Sequence, residues 1–144
     1  MRVYLDNCCF NRPFDDQTQI LISLETEAKL RIQQLILNGM LDLIWSFILH
    51  YENGYNPYDD KKESIAAWEY VAKEAVVFNE EIKRIAGNLM RIHIRPKDAL
   101  HIACAVYANA SYFITTDKRL CNKSIDKLTI VGPIHFLERY YDEN

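Results

Sequence analysis

Four carboxylates hold equivalent places in the pattern of this chain, and they carry most of the chemistry it offers. Asp6 ends the apolar run Val3-Tyr4-Leu5, and Glu52 lies in the helical stretch that starts at Ser46, directly after a second apolar run. Asp98 takes the third position of a helix opened by Pro96, and Asp117 follows the strand-like run that ends at Thr115. Each acid has an ordinary local use. Asp6 and Asp117 can cap turns, Asp98 is favoured by the helix macrodipole at ~0.3–1 kcal/mol, and Glu52 can be a solvated helical residue. As a set they need another account, because gathered carboxylates repel and raise one another's pKa unless a cation sits between them. Oxygen donors with no matching Cys or His set point to Mg2+ or Mn2+ rather than zinc. Such an ion suits phosphodiester hydrolysis, where it activates a water and stabilises the leaving oxygen. Thr115, Thr116 and Ser46 could orient that water or a ligand, and Asn7 could hydrogen-bond a phosphate. His101, one turn past Asp98, could serve as a base, although a packed or surface histidine is the commoner case.

Acids so far apart in sequence meet only if the fold brings strand ends and helix starts to one edge. The hydrophobic periodicity predicts helices over 17–38, 47–52, 61–72, 79–90, 97–109 and 134–141. Apolar runs rich in strand formers predict strands over 2–6, 40–45, 75–78, 111–115 and 128–131. Asp15 or Asp16 is the expected N-cap of the first long helix and Asn38-Gly39 its stop; residues 8–16 read as an irregular loop. Strands alternating with helices, without hairpin turns, imply crossover connections and a parallel sheet flanked by helices. The expected class is a Rossmann-like, three-layer α/β fold. In such sheets ligands bind beyond the C-terminal ends of the strands, where all four acids would lie.

Size and charge narrow the function further. A chain of 144 residues fits one domain, 1–144, and its 49% hydrophobic and 26% charged content is that of an ordinary globular protein. The formal charge of −3 and the pI of about 5.8 exclude a strongly basic nucleic-acid binder. Two basic groups stand out even so: Lys83, Arg84, Arg91, Arg95 and Lys97, then Lys118, Arg119, Lys123 and Lys127. A solvated helix face explains either alone; together they matter if both flank one site. The cysteines at 8, 9, 104 and 121 form no Cys-x-x-Cys pair. Small buried thiols in a reducing cytoplasm are the simplest account, since the N-terminus lacks a signal-peptide pattern and no apolar run approaches the ~18–20 residues that span a bilayer.

Val-Tyr-Leu-Asp6, Ser46 with Glu52 six residues on, Lys97-Asp98-Ala-Leu-His-Ile-Ala and Ile-Thr-Thr-Asp117 together resemble the PIN-domain nucleases, over nearly the whole chain. The resemblance implies a Rossmann-like parallel sheet with Asp6, Glu52, Asp98 and Asp117 around Mg2+ or Mn2+. Many small prokaryotic members are VapC-type toxins, so it further implies an endoribonuclease acting on RNA, a cognate antitoxin as partner, and a homodimer. The basic residues nearest the acids, Arg12, Arg95, Lys97 and Lys118, are the expected phosphate contacts. Phe10 and Phe14 could stack on unpaired bases, packing being the alternative. Two departures are visible. The loop 8–16 is longer and more aromatic than in the simplest members, and Leu120, Cys121 and Asn122 stand where many relatives carry a further acid. The same departure motivates a competing expectation, a PIN-like module that binds nucleic acid or protein with catalysis weak or lost. Phosphoryl transfer through an aspartyl intermediate also starts from a strand-end Asp, but Cys8 stands where its Asp-x-Asp signature needs a second acid.

Overall fold

A computed structural model describes residues 1–143. The elements are β1 (Arg2–Leu5), α1 (Asn7–Asn11), a 3₁₀ turn (Arg12–Phe14), α2 (Ile20–Leu37), β2 (Asp42–Ser46), α3 (Phe47–Gly54) and α4 (Asp59–Ala66). A second 3₁₀ turn (Ala67–Val71), β3 (Glu74–Val76), α5 (Glu80–Arg91), α6 (Pro96–Tyr107), β4 (Tyr112–Ile114), α7 (Lys118–Cys121), β5 (Thr129–Val131) and α8 (Pro133–Glu143) complete the order. The strands form one parallel sheet in the order β3-β2-β1-β4-β5. This is the expected three-layer α/β arrangement, with helices covering both faces of the sheet.

The first strand is its centre. Tyr4 sits opposite Ile44 of β2 and Phe113 of β4, and Val3, Tyr4 and Leu5 are fully buried. A strand covered on both faces needs continuous apolar character rather than alternation, and this run supplies it. Small residues on α6 set how closely that helix approaches the sheet: Ala99, Ala103 and Ala105 are all completely buried. The first long helix stops where the sequence says it should, because Gly39 adopts φ +76, a conformation glycine takes at little cost.

Three local expectations change. Residues 8–16 are not an irregular loop, since Asp6 caps a short helix there and a 3₁₀ turn follows. Asp16 does not cap α2; its Oδ1 accepts from the backbone N–H and hydroxyl of Thr18 at 3.0 and 2.7 Å, and α2 starts later, after Gln19. The stretch 61–72 divides into α4 and the second 3₁₀ turn.

Phe10 from α1 is fully buried and meets Trp45 edge-on at 5.5 Å, so it packs the core. Beside it lies a buried cation. Lys29 of α2 is only 4% exposed, with its Nζ 5.5 Å from the Phe10 ring centre and 5.9 Å from that of Trp68.

Candidate active site

The C-terminal edge of the sheet brings the predicted acids together around Asp6. The backbone N–H of Asp6 bonds Ile114 O at 2.9 Å, which fixes the end of β1 against β4. Its Oδ1 accepts from the N–H of Asn7 at 2.8 Å and so caps α1. Its Oδ2 accepts from the hydroxyl of Thr115 at 2.8 Å and from the thiol of Cys8 at 3.6 Å. Thr115 is fully buried, and its Oγ1 also accepts from the backbone N–H of Asp117 at 3.0 Å. One hydroxyl thereby ties two of the acids. Asp117 caps α7 by accepting from the N–H of Arg119 at 3.0 Å, and it pairs with the Arg119 guanidinium at 3.1 Å. Those hydrogen bonds hold its carboxyl below the usual range.

Asp98 differs. Burial, and then the charges of Asp6 and Asp117, push its carboxyl above the usual range. Its two named neighbours thus identify one electrostatic cluster of three acids.

Glu52 reaches the cluster from α3 through a buried chain of side chains. His101 of α6, 1% exposed, makes a short contact from Nε2 to Glu52 Oε1 and lies 3.9 Å from Asp6 Oδ1. Its Nδ1 is 2.6 Å from the Tyr4 hydroxyl, which is in turn 2.6 Å from Ser46 Oγ. With a neutral imidazole every group is satisfied: Nε2–H donates to Glu52, Nδ1 accepts from Tyr4, and Tyr4 accepts from Ser46. Burial works against the Glu52 charge, but the hydrogen bond from His101, with Lys97 and Asn7 behind it, outweighs it and lowers its pKa. Asn7 contributes a 3.4 Å bond from Nδ2 to Glu52 Oε2.

The supporting and basic residues divide. Thr115 holds Asp6 directly. Ser46 is fully buried, caps α3 by accepting from the N–H of Leu49 at 3.3 Å, and reaches the acids only through Tyr4 and His101. Thr116 donates its backbone N–H to Cys8 Sγ at 3.4 Å. Arg95 lines a cavity of about 220 Å3 with Asp98, Asp117, Arg119 and Lys123. Lys97 lies close enough to Glu52 to favour its charge, and Lys118 is exposed. Arg12 is drawn away instead, pairing with Asp15 at 3.0 Å and with buried Glu25 at 3.2 Å. A larger cavity of about 860 Å3, lined by Ile85, Leu89, Asn109 and Lys127 among others, contains none of the four acids.

The donor set fits a divalent cation in kind: oxygen ligands, with three mutually repelling carboxylates, one of them destabilised in its charged form. Among the described residues, no three His, Cys, Asp or Glu side chains are gathered closely enough to hold an ion as they stand. The hydrogen bonds explain this, because Glu52 is committed to His101 and Asp117 to Arg119. Arg119 and a cation would compete for one carboxylate.

Sequence reasoning missed Tyr4 and Arg119 as parts of this network. His101, singled out because it follows Asp98 by one helical turn and shares its face, was read as a base or a packed residue rather than as the bridge between Glu52 and Tyr4. A period-based reading places Tyr4 simply as core.

A sequence profile described as PIN domain matches residues 3–125. No curated protein matches the chain. The solved structures that share its fold include three at TM-scores of 0.56 to 0.62. VapBC-1 from nontypeable Haemophilus influenzae aligns at a TM-score of 0.62 and 20% identity, covering 93% of this chain and 99% of that one. FitAcB from Neisseria gonorrhoeae gives 0.59 and 14%, covering 92% and 99%. VapBC2 from Rickettsia felis, bound to a DNA fragment from their promoter, gives 0.56 and 16%, covering 90% and 97%.

Proposed function

The chain belongs to the PIN domain family, and from that premise we propose that it is a divalent-metal-dependent endoribonuclease, the toxin of a toxin–antitoxin pair. The observation that carries the reading is the meeting of Asp6, Asp98 and Asp117 at one sheet edge, with Glu52 held beside them by His101. Asp6, Asp98, Asp117 and Glu52 are the residues that would hold Mg2+ or Mn2+, which when bound lowers the pKa of a water and stabilises the leaving oxygen of a phosphodiester. Thr115 keeps the Asp6 carboxylate turned toward the cluster, and His101 does the same for Glu52. Arg95, Lys97 and Lys118 stand where an RNA backbone would need cations, and residues 1–144 act as one nuclease domain.

A protein partner is supported by the surface as well as by the VapBC neighbours. Ile20, Leu21 and Leu24 are exposed together in the first turns of α2, an apolar patch of the kind that marks interaction sites. An antitoxin and a second copy of the chain are the partners this reading assigns. No helix among the described residues is long and apolar enough to cross a membrane.

The test is Mn2+-dependent cleavage of single-stranded and structured RNA. Asp6→Asn and Asp98→Asn are expected to reduce cleavage to the uncatalysed background; two variants that cleave like the parent would show the site to be misassigned. The second reading, a binding module, has its own support in the Asp117–Arg119 pairing and in the absence of an acid at 120–122. Calorimetric titration separates the two, because tight, Asp6-dependent Mn2+ binding without hydrolysis of any RNA favours the module.

A further inference from the structure

Next to the carboxylates lies a cleft that the proposed hydrolysis does not use. It measures about 290 Å3 and is bounded by Asn7 and Glu52 and by Asn53, Tyr55, Tyr58 and Lys61, with Phe14 also contributing. That is close to the lower end of the roughly 300–1,000 Å3 of small-ligand sites, room for one planar group. Its aromatic side chains are unusually open to solvent: Tyr55 is 73% exposed, Tyr58 60% and Phe14 40%. Lys61 Nζ lies 4.3 Å from the Tyr58 ring centre and 5.5 Å from that of Phe14.

Two residues of the same lining carry orphaned acceptors. Asn7 Oδ1 and Asn53 Oδ1 are buried and have no hydrogen-bond partner, and Asn53 as a whole is only 5% exposed. Their amide nitrogens are already engaged, Asn7 Nδ2 with Glu52 Oε2 at 3.4 Å and Asn53 Nδ2 with Lys62 O at 2.8 Å. What each asparagine has left is an acceptor that native structures seldom leave unpaired. The missing partner is an N–H donor.

We propose that this cleft is a nucleobase subsite, which seats one unpaired base of an RNA strand beside the carboxylate cluster. The base stacks on Tyr55 or Tyr58, as single-stranded nucleic acids do on exposed aromatics. Its N–H edge is offered to Asn7 and Asn53, and Lys61 meets the adjoining phosphate. Glu52 and Asp15 in the same lining repel a phosphate from the cleft itself and favour a donor edge. Adenine, cytosine and guanine each carry an amino group, whereas uracil offers a single ring N–H, so the subsite selects amino-bearing bases. The inference rests on the ribonuclease reading and adds substrate preference to it.

The experiment measures fluorescence anisotropy of end-labelled hexa-adenylate, hexacytidylate and hexauridylate in EDTA, and cleavage of the same oligomers in Mn2+. The parent is expected to bind the first two more tightly than the third. Replacing both exposed rings, Tyr55→Ala with Tyr58→Ala, should weaken binding of all three roughly 10-fold or more with the circular dichroism spectrum unchanged. Asn53→Leu should weaken hexa-adenylate and hexacytidylate binding more than hexauridylate binding and so narrow the preference for amino-bearing bases. If the double tyrosine variant binds and cleaves all three oligomers as the parent does, the cleft is not a base subsite and the ribonuclease reading stands. If the tyrosine changes disrupt only association with a co-expressed protein partner, the surface is a protein contact and the proposal is likewise overturned. A parent that neither binds nor cleaves any oligomer removes both readings together.

Discussion

His101 decides how Glu52 and Tyr4 are held, and its replacement takes a hydrogen bond from buried Tyr4 and from half-buried Glu52 at once. His101→Leu leaves Tyr4 with Ser46 alone and Glu52 with Asn7 alone, at a cost of about 1–3 kcal/mol. His101→Gln keeps a donor for Glu52 and should recover part of that loss. Urea unfolding measures the stability, and RNA cleavage by the two variants reports whether Glu52 must be held for activity. Equal stability of His101→Leu and the parent would show that the chain of contacts carries no weight. The four acids were legible in the sequence because each ends a strand or starts a helix. The ordinary reading of each was also correct locally: Asp6 and Asp117 do cap helices, and Asp98 does lie in a first turn. Their second role is visible only in three dimensions. His101 was not legible as a partner, because a histidine between Leu100 and Ile102 looks the same whether it packs inertly or bridges two side chains. Arg12 read as a phosphate contact from its nearness to Asp6 in sequence, but the 3₁₀ turn faces it toward buried Glu25.

At the scale of elements, α2 carries a defect with a measurable sign. Burial lowers the pKa of Lys29 from 10.5 to about 8. The unfolded chain therefore holds that proton more tightly than the folded one, and the penalty is complete below about pH 8 and fades as pH rises toward 10.5. Lys29→Met should stabilise the protein by about 1–3 kcal/mol at pH 7, the lost contact with Phe10 and Trp68 offsetting part of the gain. The advantage should shrink at pH 10. Urea titrations of both proteins at the two pH values check this, and an advantage that grows with pH would contradict it. The longer elements could be read from sequence because period and length reinforce each other over several turns. The segments that could not be read are short. A five-residue helix at Asn7–Asn11 contains too little period to detect, and the change from α4 to a 3₁₀ turn at Ala66–Ala67 has no Gly or Pro to announce it.

For the whole molecule, the acid cluster links ligand to stability. The burial and repulsion that raise Asp98 are a cost of folding at neutral pH, and a cation bound only by the folded chain would offset it. Mn2+ at about 100 times its dissociation constant should add ~2.7 kcal/mol, seen as a rise in Tm. Asp98→Asn should lose that rise while unfolding no more easily than the parent in EDTA. A metal-independent Tm in the parent would count against the carboxylates as ligands. The parallel sheet and its layers followed from alternating elements. Sequence could not say which side chains would bridge the strand ends, since that depends on register.

Register also sets a schedule. Asp6 leaves the ribosome 109 residues ahead of its side-chain partner Thr115, and its main-chain partner is Ile114. Until those residues have followed, at roughly 5–20 residues per second, the central strand lacks one neighbour and Asp6 lacks Thr115 and Asp117. The site cannot assemble on an early nascent chain, and a truncation before β4 should leave no competent fragment. Late closure of this kind leaves several seconds in which the residues of α2 are already outside the ribosome while the carboxylates are still apart.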